Sequence, residues 1–269
     1  MICEKFNLNV KTDGQNPEYT AALTSYIPNV GVSKVEGGRR AVVVCPGGGY
    51  RNRAPHEAEP IALYFAAAGI AAFVLDYSII PARFPQAVCE AAQAVKLVRD
   101  NAEKWGINPD KIMVCGFSAG GHLAASLGVF YDKPEVLENL GCTAEDCKPN
   151  GMILGYPVIS GGEYAHKGSF ERLTGCEYDA EKAEKLSIEK LVSCSTPPAF
   201  VWHTFEDTTV PVQNSLLFAK ALADNNVNCE LHIYPHSEHG AALANGVAGR
   251  YVLEAKEWTQ NAVRWINNL

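Results

Sequence analysis

The chain has 269 residues, of which 47% are hydrophobic and 20% charged, the balance of an ordinary folded protein, and this excludes a disordered or fibrous architecture. Its net charge of -7 and the lack of any Lys/Arg cluster speak against nucleic acid or an anionic membrane as partner. No apolar stretch reaches transmembrane length, and residues 1–7 lack a basic region followed by an apolar core, so a cytoplasmic location is expected.

The nine cysteines are scattered, without CxxC pairs or His partners at zinc-ligand spacing, although Cys142 and Cys147 lie close together. Free thiols in a reducing compartment and no bound metal are the expectation. The length suits a single α/β domain over residues 1–269. The sequence leaves oligomeric state open, a homo-oligomer included.

Residues 1–38 mix short alternating segments with Gly and Pro and read as one or two peripheral strands. Ala41-Val42-Val43-Val44-Cys45 is a continuous apolar run, the pattern of a strand buried on both faces of a parallel sheet. It runs into Pro46-Gly47-Gly48-Gly49-Tyr50, where glycines let backbone N–H groups turn into a cleft. A phosphate loop is excluded because no Gly-Lys-Ser/Thr follows, and a dinucleotide loop because the spacing is not GxGxxG. Half of an oxyanion hole is the reading that remains beside a merely flexible turn.

A helix is predicted over 57–68, ending at Gly69, and a buried strand over 70–75. A Pro-containing connection leads to an amphipathic helix over 86–104, and Asn108-Pro109-Asp110-Lys111 reads as a turn. Then comes the stretch around which the chain is organised: the apolar Ile112-Met113-Val114-Cys115, Gly116-Phe117-Ser118-Ala119-Gly120-Gly121, and a helix from His122 onward. Strand, sharp turn and helix in that order set a serine in a strained, exposed position, with small neighbours where strand and helix nearly touch.

Residues 130–150 read as an irregular excursion and 151–156 as a strand. The polar region 160–198 is too long for a simple connection and is expected to form a small helical cap over the cleft. A strand over 199–205, a helix over 212–225, a strand over 229–234 and a packing helix over 251–267 complete the chain. The alternation implies a mostly parallel sheet flanked by helices on both faces, with ligands gathering at the carboxyl ends of its strands.

A serine hydroxyl needs an imidazole to take its proton and a carboxylate to hold that imidazole's tautomer. In this kind of fold the order is Ser, Asp or Glu, His. Asp207 follows one late strand and His239 lies in the loop after the next. His236 competes with His239 in the same loop, but Gly240 permits a tight turn beside His239; Glu206 competes with Asp207. His203 and His232 fall inside predicted strands and read as structural, His122 as facing inward, and His56 and His166 as loop residues within reach of substrate or solvent.

From about residue 40 onward the chain resembles the α/β-hydrolase superfamily, and within it esterases of acetylated or feruloylated plant carbohydrates (the acetyl xylan esterase and feruloyl esterase-like group). The resemblance is carried by Cys45-Pro46-Gly47-Gly48-Gly49-Tyr50, Glu57-Ala58-Glu59-Pro60 with Ala62, Asp76-Tyr77-Ser78, Gly116 through His122, Pro197-Pro198 before Trp202-His203-Thr204, Asp207 through Pro211, and His239-Gly240. It implies Ser118, Asp207 and His239 as a catalytic triad and backbone N–H groups of Gly48, Gly49 and Ala119 as the oxyanion hole; Tyr50 and His166 are the expected substrate contacts. Pro46 stands where better-known lipases carry His before the glycines, which fits the carbohydrate esterases better. The implied activity is hydrolysis of a small-molecule ester, an acylated sugar, without metal or organic cofactor. An amide hydrolase (peptidase or aryl-formamidase) using the same residues is the alternative, and a non-catalytic binding protein a further one.

Overall fold

The computed structural model of the chain describes residues 1–29 and 37–269. Strands β1 (Lys5–Leu8) and β2 (Ala21–Tyr26) form the expected peripheral pair; the stretch 30–36, inside the same predicted region, lies outside the described residues. There follow β3 (Arg39–Cys45), α1 (Glu59–Ala67), β4 (Ala71–Asp76), α2 (Gln86–Asp100), α3 (Ala102–Trp105), β5 (Ile107–Phe117) and α4 (Ser118–Phe130). The second half holds α5 (Pro134–Leu140), α6 (Ala144–Cys147), β6 (Gly151–Gly155), α7 (Lys167–Thr174), α8 (Ala180–Glu184), β7 (Ala199–Thr204), α9 (Gln213–Asp224), β8 (Cys229–Tyr234) and α10 (Trp258–Asn268).

The eight strands form one sheet in the order β1-β2-β4-β3-β5-β6-β7-β8. Among the described residues, pairs from β4 to β8 are parallel, and only β1 and β2 join antiparallel. This is the helix-flanked, mostly parallel sheet that the alternation of elements predicts.

Burial follows from the two-residue period of a strand. On β3, Val42 and Val44 pack with Ile61 and Phe65 of α1 and Trp265 and Ile266 of α10. Ala41, Val43 and Cys45 face the opposite side and join Val88 and Val95 of α2 and Leu123 and Leu127 of α4. A strand so covered has no polar face to keep, which is why its sequence is a continuous apolar run.

Four sequence expectations are corrected. The 86–104 helix is two helices, because the Asn101 side chain donates to the Leu97 carbonyl at 2.9 Å and the backbone turns there. The turn at 108–111 is a bulge inside β5: Arg39 pairs with Ile107 but Ala41 with Ile112, so three extra residues of β5 loop out while the strand continues. Residues 130–150 are ordered into α5 and α6, the second opened by a capping box between Thr143 and Asp146. The last helix begins at Trp258 rather than 251; the residues before it form turns and a 3₁₀ segment, Ala255–Glu257.

The topology puts the loops after β3, β5, β6, β7 and β8 at one edge of the sheet, the carboxyl edge. Cys45 of β3 pairs with Gly116 of β5, so the glycine loop and the Ser118 turn start side by side. Residues 160–198 carry α7 and α8 and a 3₁₀ turn, Ile188–Lys190. From α7, Arg172 and Ser169 reach the glycine loop.

Candidate active site

Ser118 is the first residue of α4 and has a φ of 54°. Left-handed backbone is costly for a residue with a Cβ, and the strain is held by neighbours with no room to relax. A Cβ on Gly116 would lie 2.0 Å from the Gly120 carbonyl oxygen, and one on Gly120 would lie 2.1 Å from that of Cys45. Strand, helix and glycine loop therefore touch backbone to backbone around the serine.

The structure brings Ser118, His239 and Asp207 together. His239 Nε2 is 2.7 Å from Ser118 Oγ, and His239 Nδ1 is 2.6 Å from Asp207 Oδ2. Asp207 comes from the loop after β7 and His239 from the loop after β8, where Gly240 (φ 87°) lets the chain turn. With Nδ1–H donated to the carboxylate, Nε2 is left as the acceptor facing the hydroxyl.

Asp207 is 4% exposed and amply bonded. Its Oδ1 accepts the N–H groups of Thr209 and Val210, each at 2.9 Å. Burial pushes its pKa up, but hydrogen bonds from His203 and His239, the charge on His239 and the Val210 N–H outweigh it and hold the carboxyl well below the usual range. His203, read from sequence as structural, serves the site indirectly: its Nε2 donates to the Val210 carbonyl at 2.9 Å and lies 3.4 Å from Asp207 Oδ2. The two competitors, Glu206 and His236, pair with each other at 3.1 Å on the exposed rim.

Three backbone N–H groups stand in the two loops beside Ser118, and the hydrogen bonds of the carbonyls across their peptides set which way they turn. Across a trans peptide, C=O and N–H point in opposite directions. The Gly47 carbonyl accepts Ala54 N–H at 2.9 Å, the Gly48 carbonyl accepts Arg51 N–H at 3.0 Å, and the Ser118 carbonyl accepts Val158 N–H at 3.0 Å. Each bond holds a peptide so that the following N–H, of Gly48, Gly49 and Ala119 respectively, is turned away. Gly48 (φ 125°) and Gly49 (φ 63°) require glycine's freedom to do this. The N–H of Ala119 is also one of the unsatisfied donors in the first turn of α4, at its positive end.

The two residues expected at the substrate part company. His166 lines the cleft, with Nδ1 2.8 Å from Ser169 Oγ. Burial first, and then repulsion from an imidazolium at His239 and from the Arg172 guanidinium, lower its pKa. Tyr50 is 3% exposed and does not reach the cleft. Its φ of 57° swings the side chain inward, where the hydroxyl donates to His122 Nδ1 at 2.9 Å and the ring meets Tyr77 edge-on. Tyr50 thus braces the glycine loop from below.

The sequence reading missed two arginines. Arg172 Nη1 donates to the Gly49 carbonyl at 2.9 Å, and Arg250 Nε donates to the His239 carbonyl at 3.0 Å. Arg172 acts across 123 residues and Arg250 across 11, and no local pattern marks either. With Arg51, Asn52, His56 and His166 they make the wall of a cleft of about 990 Å³ that has no aromatic and no large aliphatic side chain among its described lining. Among the described residues no group of three or more His, Cys, Asp or Glu side chains is placed to hold a metal ion, no helix is long and apolar enough to cross a membrane, and the nine cysteines are unpaired.

Comparison with known proteins gives this geometry a family. Residues 26–222 match the BD-FAE family model. The chain is 39% identical over 216 residues to endo-1,4-beta-xylanase B of Butyrivibrio fibrisolvens, covering 77% of this chain and 33% of that one. It is 32% identical over 243 residues to an acetylxylan esterase of Xylanibacter ruminicola, covering 88% of this chain and 46% of that one. The chain thus spans less than half the length of either relative. Among solved structures, an acetyl ester-xyloside bifunctional hydrolase from Caldicellulosiruptor lactoaceticus superposes with a TM-score of 0.82 at 40% identity, over 96% of this chain and 90% of that one. The chain belongs to the BD-FAE family and has the α/β-hydrolase fold.

Proposed function

We propose that the chain is a serine carboxylic-ester hydrolase that removes acyl groups from small xylan-related sugars. The observation that carries this reading is the 2.7 Å approach of Ser118 Oγ to Nε2 of His239, whose Nδ1 is 2.6 Å from Asp207 Oδ2, on the turn that starts beside the glycine loop. The cleft supports the choice of substrate. No Phe, Tyr, Trp or large aliphatic side chain stands in the described lining to hold a long hydrocarbon acyl chain, whereas guanidinium, imidazole and amide groups suit sugar hydroxyls. The acetylxylan esterase and the acetyl ester-xyloside hydrolase that the chain resembles point the same way.

In this mechanism Ser118 Oγ attacks the ester carbonyl carbon as His239 Nε2 takes its proton. The carbonyl oxygen becomes an oxyanion, met by the three backbone donors, each of which is worth about 10²–10³ in turnover where such donors have been removed. The C–O bond to the alcohol breaks and His239 returns the proton to the departing oxygen. Water, activated by the same imidazole, then attacks the acyl-enzyme and releases the acid. Asp207 keeps Nδ1 protonated and stabilises the imidazolium between these transfers.

The test is acid release from 4-nitrophenyl acetate and acetylated xylo-oligosaccharides, with short peptides in parallel and Ser118→Ala as control. Turnover of both esters, lost in the variant, is expected. Peptide cleavage without ester turnover would replace the esterase reading with an amidase one.

A further inference from the structure

Glu57 is a carboxylate 2% exposed at the wall of the cleft, and no lysine or arginine pairs with it among the described residues. Its two oxygens go separate ways. Oε2 accepts the Gly47 N–H at 2.8 Å, at the root of the glycine loop; Oε1 accepts the Tyr156 hydroxyl at 2.6 Å. The phenol oxygen in turn accepts the Ala242 N–H at 2.9 Å, three residues beyond His239. Tyr156 itself is 1% exposed, has a φ of 37°, and meets the His239 ring edge-on with centroids 4.9 Å apart.

We infer that Glu57 and Tyr156 form a strut that sets the oxyanion loop and the His239 loop at a fixed separation, which makes both of them positioning residues for the proposed ester hydrolysis. The inference rests on the esterase reading. Nucleophile, imidazole and oxyanion donors come from different loops, and their errors of placement enter the transition state directly. Burying a carboxylate without a cation is costly, and Leu or Met would fill the same space. What an apolar side chain lacks is two acceptor oxygens aimed at two donors. The Ala242 end is held in its own right: φ of 47° at Ala242, with its carbonyl accepting Trp258 Nε1–H at 2.8 Å.

Glu57→Gln is the informative variant, because it keeps shape but replaces one acceptor by a donor. Facing the Gly47 N–H and the Tyr156 O–H, the amide satisfies one and opposes the other. Tyr156→Phe removes a single oxygen and with it both of the phenol's bonds. With 4-nitrophenyl acetate, each variant is expected to lose about tenfold or more in kcat with KM little changed, the split left by an interaction made in the transition state. The double variant is expected to be no worse than the weaker single one, since both substitutions cut the same connection. Wild-type kcat in either variant, a rise in KM alone, or losses that multiply in the double variant would overturn the strut. If Glu57→Gln does not fold, Tyr156→Phe decides alone. A wild-type chain that turns over no ester sinks the esterase reading by itself; the strut is then read from the rate at which a fluorophosphonate labels Ser118, which uses the same donors and imidazole. Labelling of both variants at the wild-type rate would overturn it there.

Discussion

His239 Nδ1 and Asp207 Oδ2 stand 2.6 Å apart, and the carboxylate is fixed from behind by two backbone N–H groups and flanked by His203. The carboxylate is therefore immobile before the imbalance of charge it must meet arises. Asp207→Asn would keep the acceptor toward Thr209 and Val210 but present an amide N–H₂ to Nδ1. The ring is then forced into the tautomer with Nε2–H, which cannot accept the serine proton. A loss of about 10⁴-fold in kcat is expected, with the melting curve still cooperative. An Asn variant with near-normal ester turnover would show that Asp207 does not set the tautomer.

The glycines at the turn separate steric need from conformational need. Gly116→Ala would drive a Cβ to 2.0 Å from the Gly120 carbonyl, where backbone would have to move. Gly69, after α1, instead has a positive φ, 84°, and a Cβ there meets nothing within 4 Å. Gly69→Ala is expected to cost about 1–2 kcal/mol, the left-handed penalty alone, and to leave ester turnover intact. Gly116→Ala is expected to lose the folded state or its activity outright. Urea unfolding of the two variants side by side checks this, and equal losses of stability would refute the contact argument.

How much of this was legible in the sequence depends on the range of the forces involved. The strand, turn and helix around Ser118 are written locally, as an apolar run followed by glycines at the points of backbone contact. Ser118, picked out by its glycine-flanked turn, and Asp207 and His239, picked out from their places after late strands, come within hydrogen-bond reach in the structure. Tyr50 was misplaced because the sign of its φ is decided by the Gly47–Ala54 turn, and nothing in the residue type reports it. Helices α5 and α6 are short, of 7 and 4 residues, too brief for helical periodicity to rise above a Pro- and Gly-containing background. Arg172 and the Glu57–Tyr156 pair act between segments far apart in the chain, and Arg250 acts on a carbonyl eleven residues back. The two arginines meet backbone carbonyls, which carry no sequence signature at all.

Arg172 offers a direct check on the cap side of the cleft. Its guanidinium, carried on α7, donates to the Gly49 carbonyl at 2.9 Å, and hydrogen bonds to a charged group contribute about 1.5–3 kcal/mol. Arg172→Leu releases the glycine loop from that side while leaving Gly47 tied to Glu57. A fall of about tenfold or more in kcat for 4-nitrophenyl acetate is expected, corresponding to about 1.4 kcal/mol of lost transition-state stabilisation. Unchanged kcat in a folded variant would mean that the loop holds its shape without α7.

His122 predicts how stability should respond to acid. The ring lies one turn into α4 and is 1% exposed; Tyr50 donates to its Nδ1 at 2.9 Å, and its Nε2–H donates to the Leu186 carbonyl at 3.1 Å. Burial lowers its pKa from 6.5 to about 4, only partly offset by the Leu186 bond. A folded value below the unfolded one means that the unfolded chain takes up the proton first. Above pH 6.5 both states are neutral and the contribution is complete; between pH 6.5 and 4 the unfolded state gains protons that the native state refuses, and stability falls. Near pH 4 the loss from this one residue approaches about 3 kcal/mol. Carboxylates also titrate toward the acid end of this range, so the comparison that isolates His122 is with His122→Gln, which keeps an acceptor and a donor but cannot ionise. The variant is expected to be less stable than wild type at pH 7.5 and to lose less on going to pH 4.5, so that the two curves of urea midpoint against pH converge. Parallel curves would mean that the imidazole is protonated in the native state, and that the bond from Tyr50 to Nδ1 is not the one holding the floor of the glycine loop.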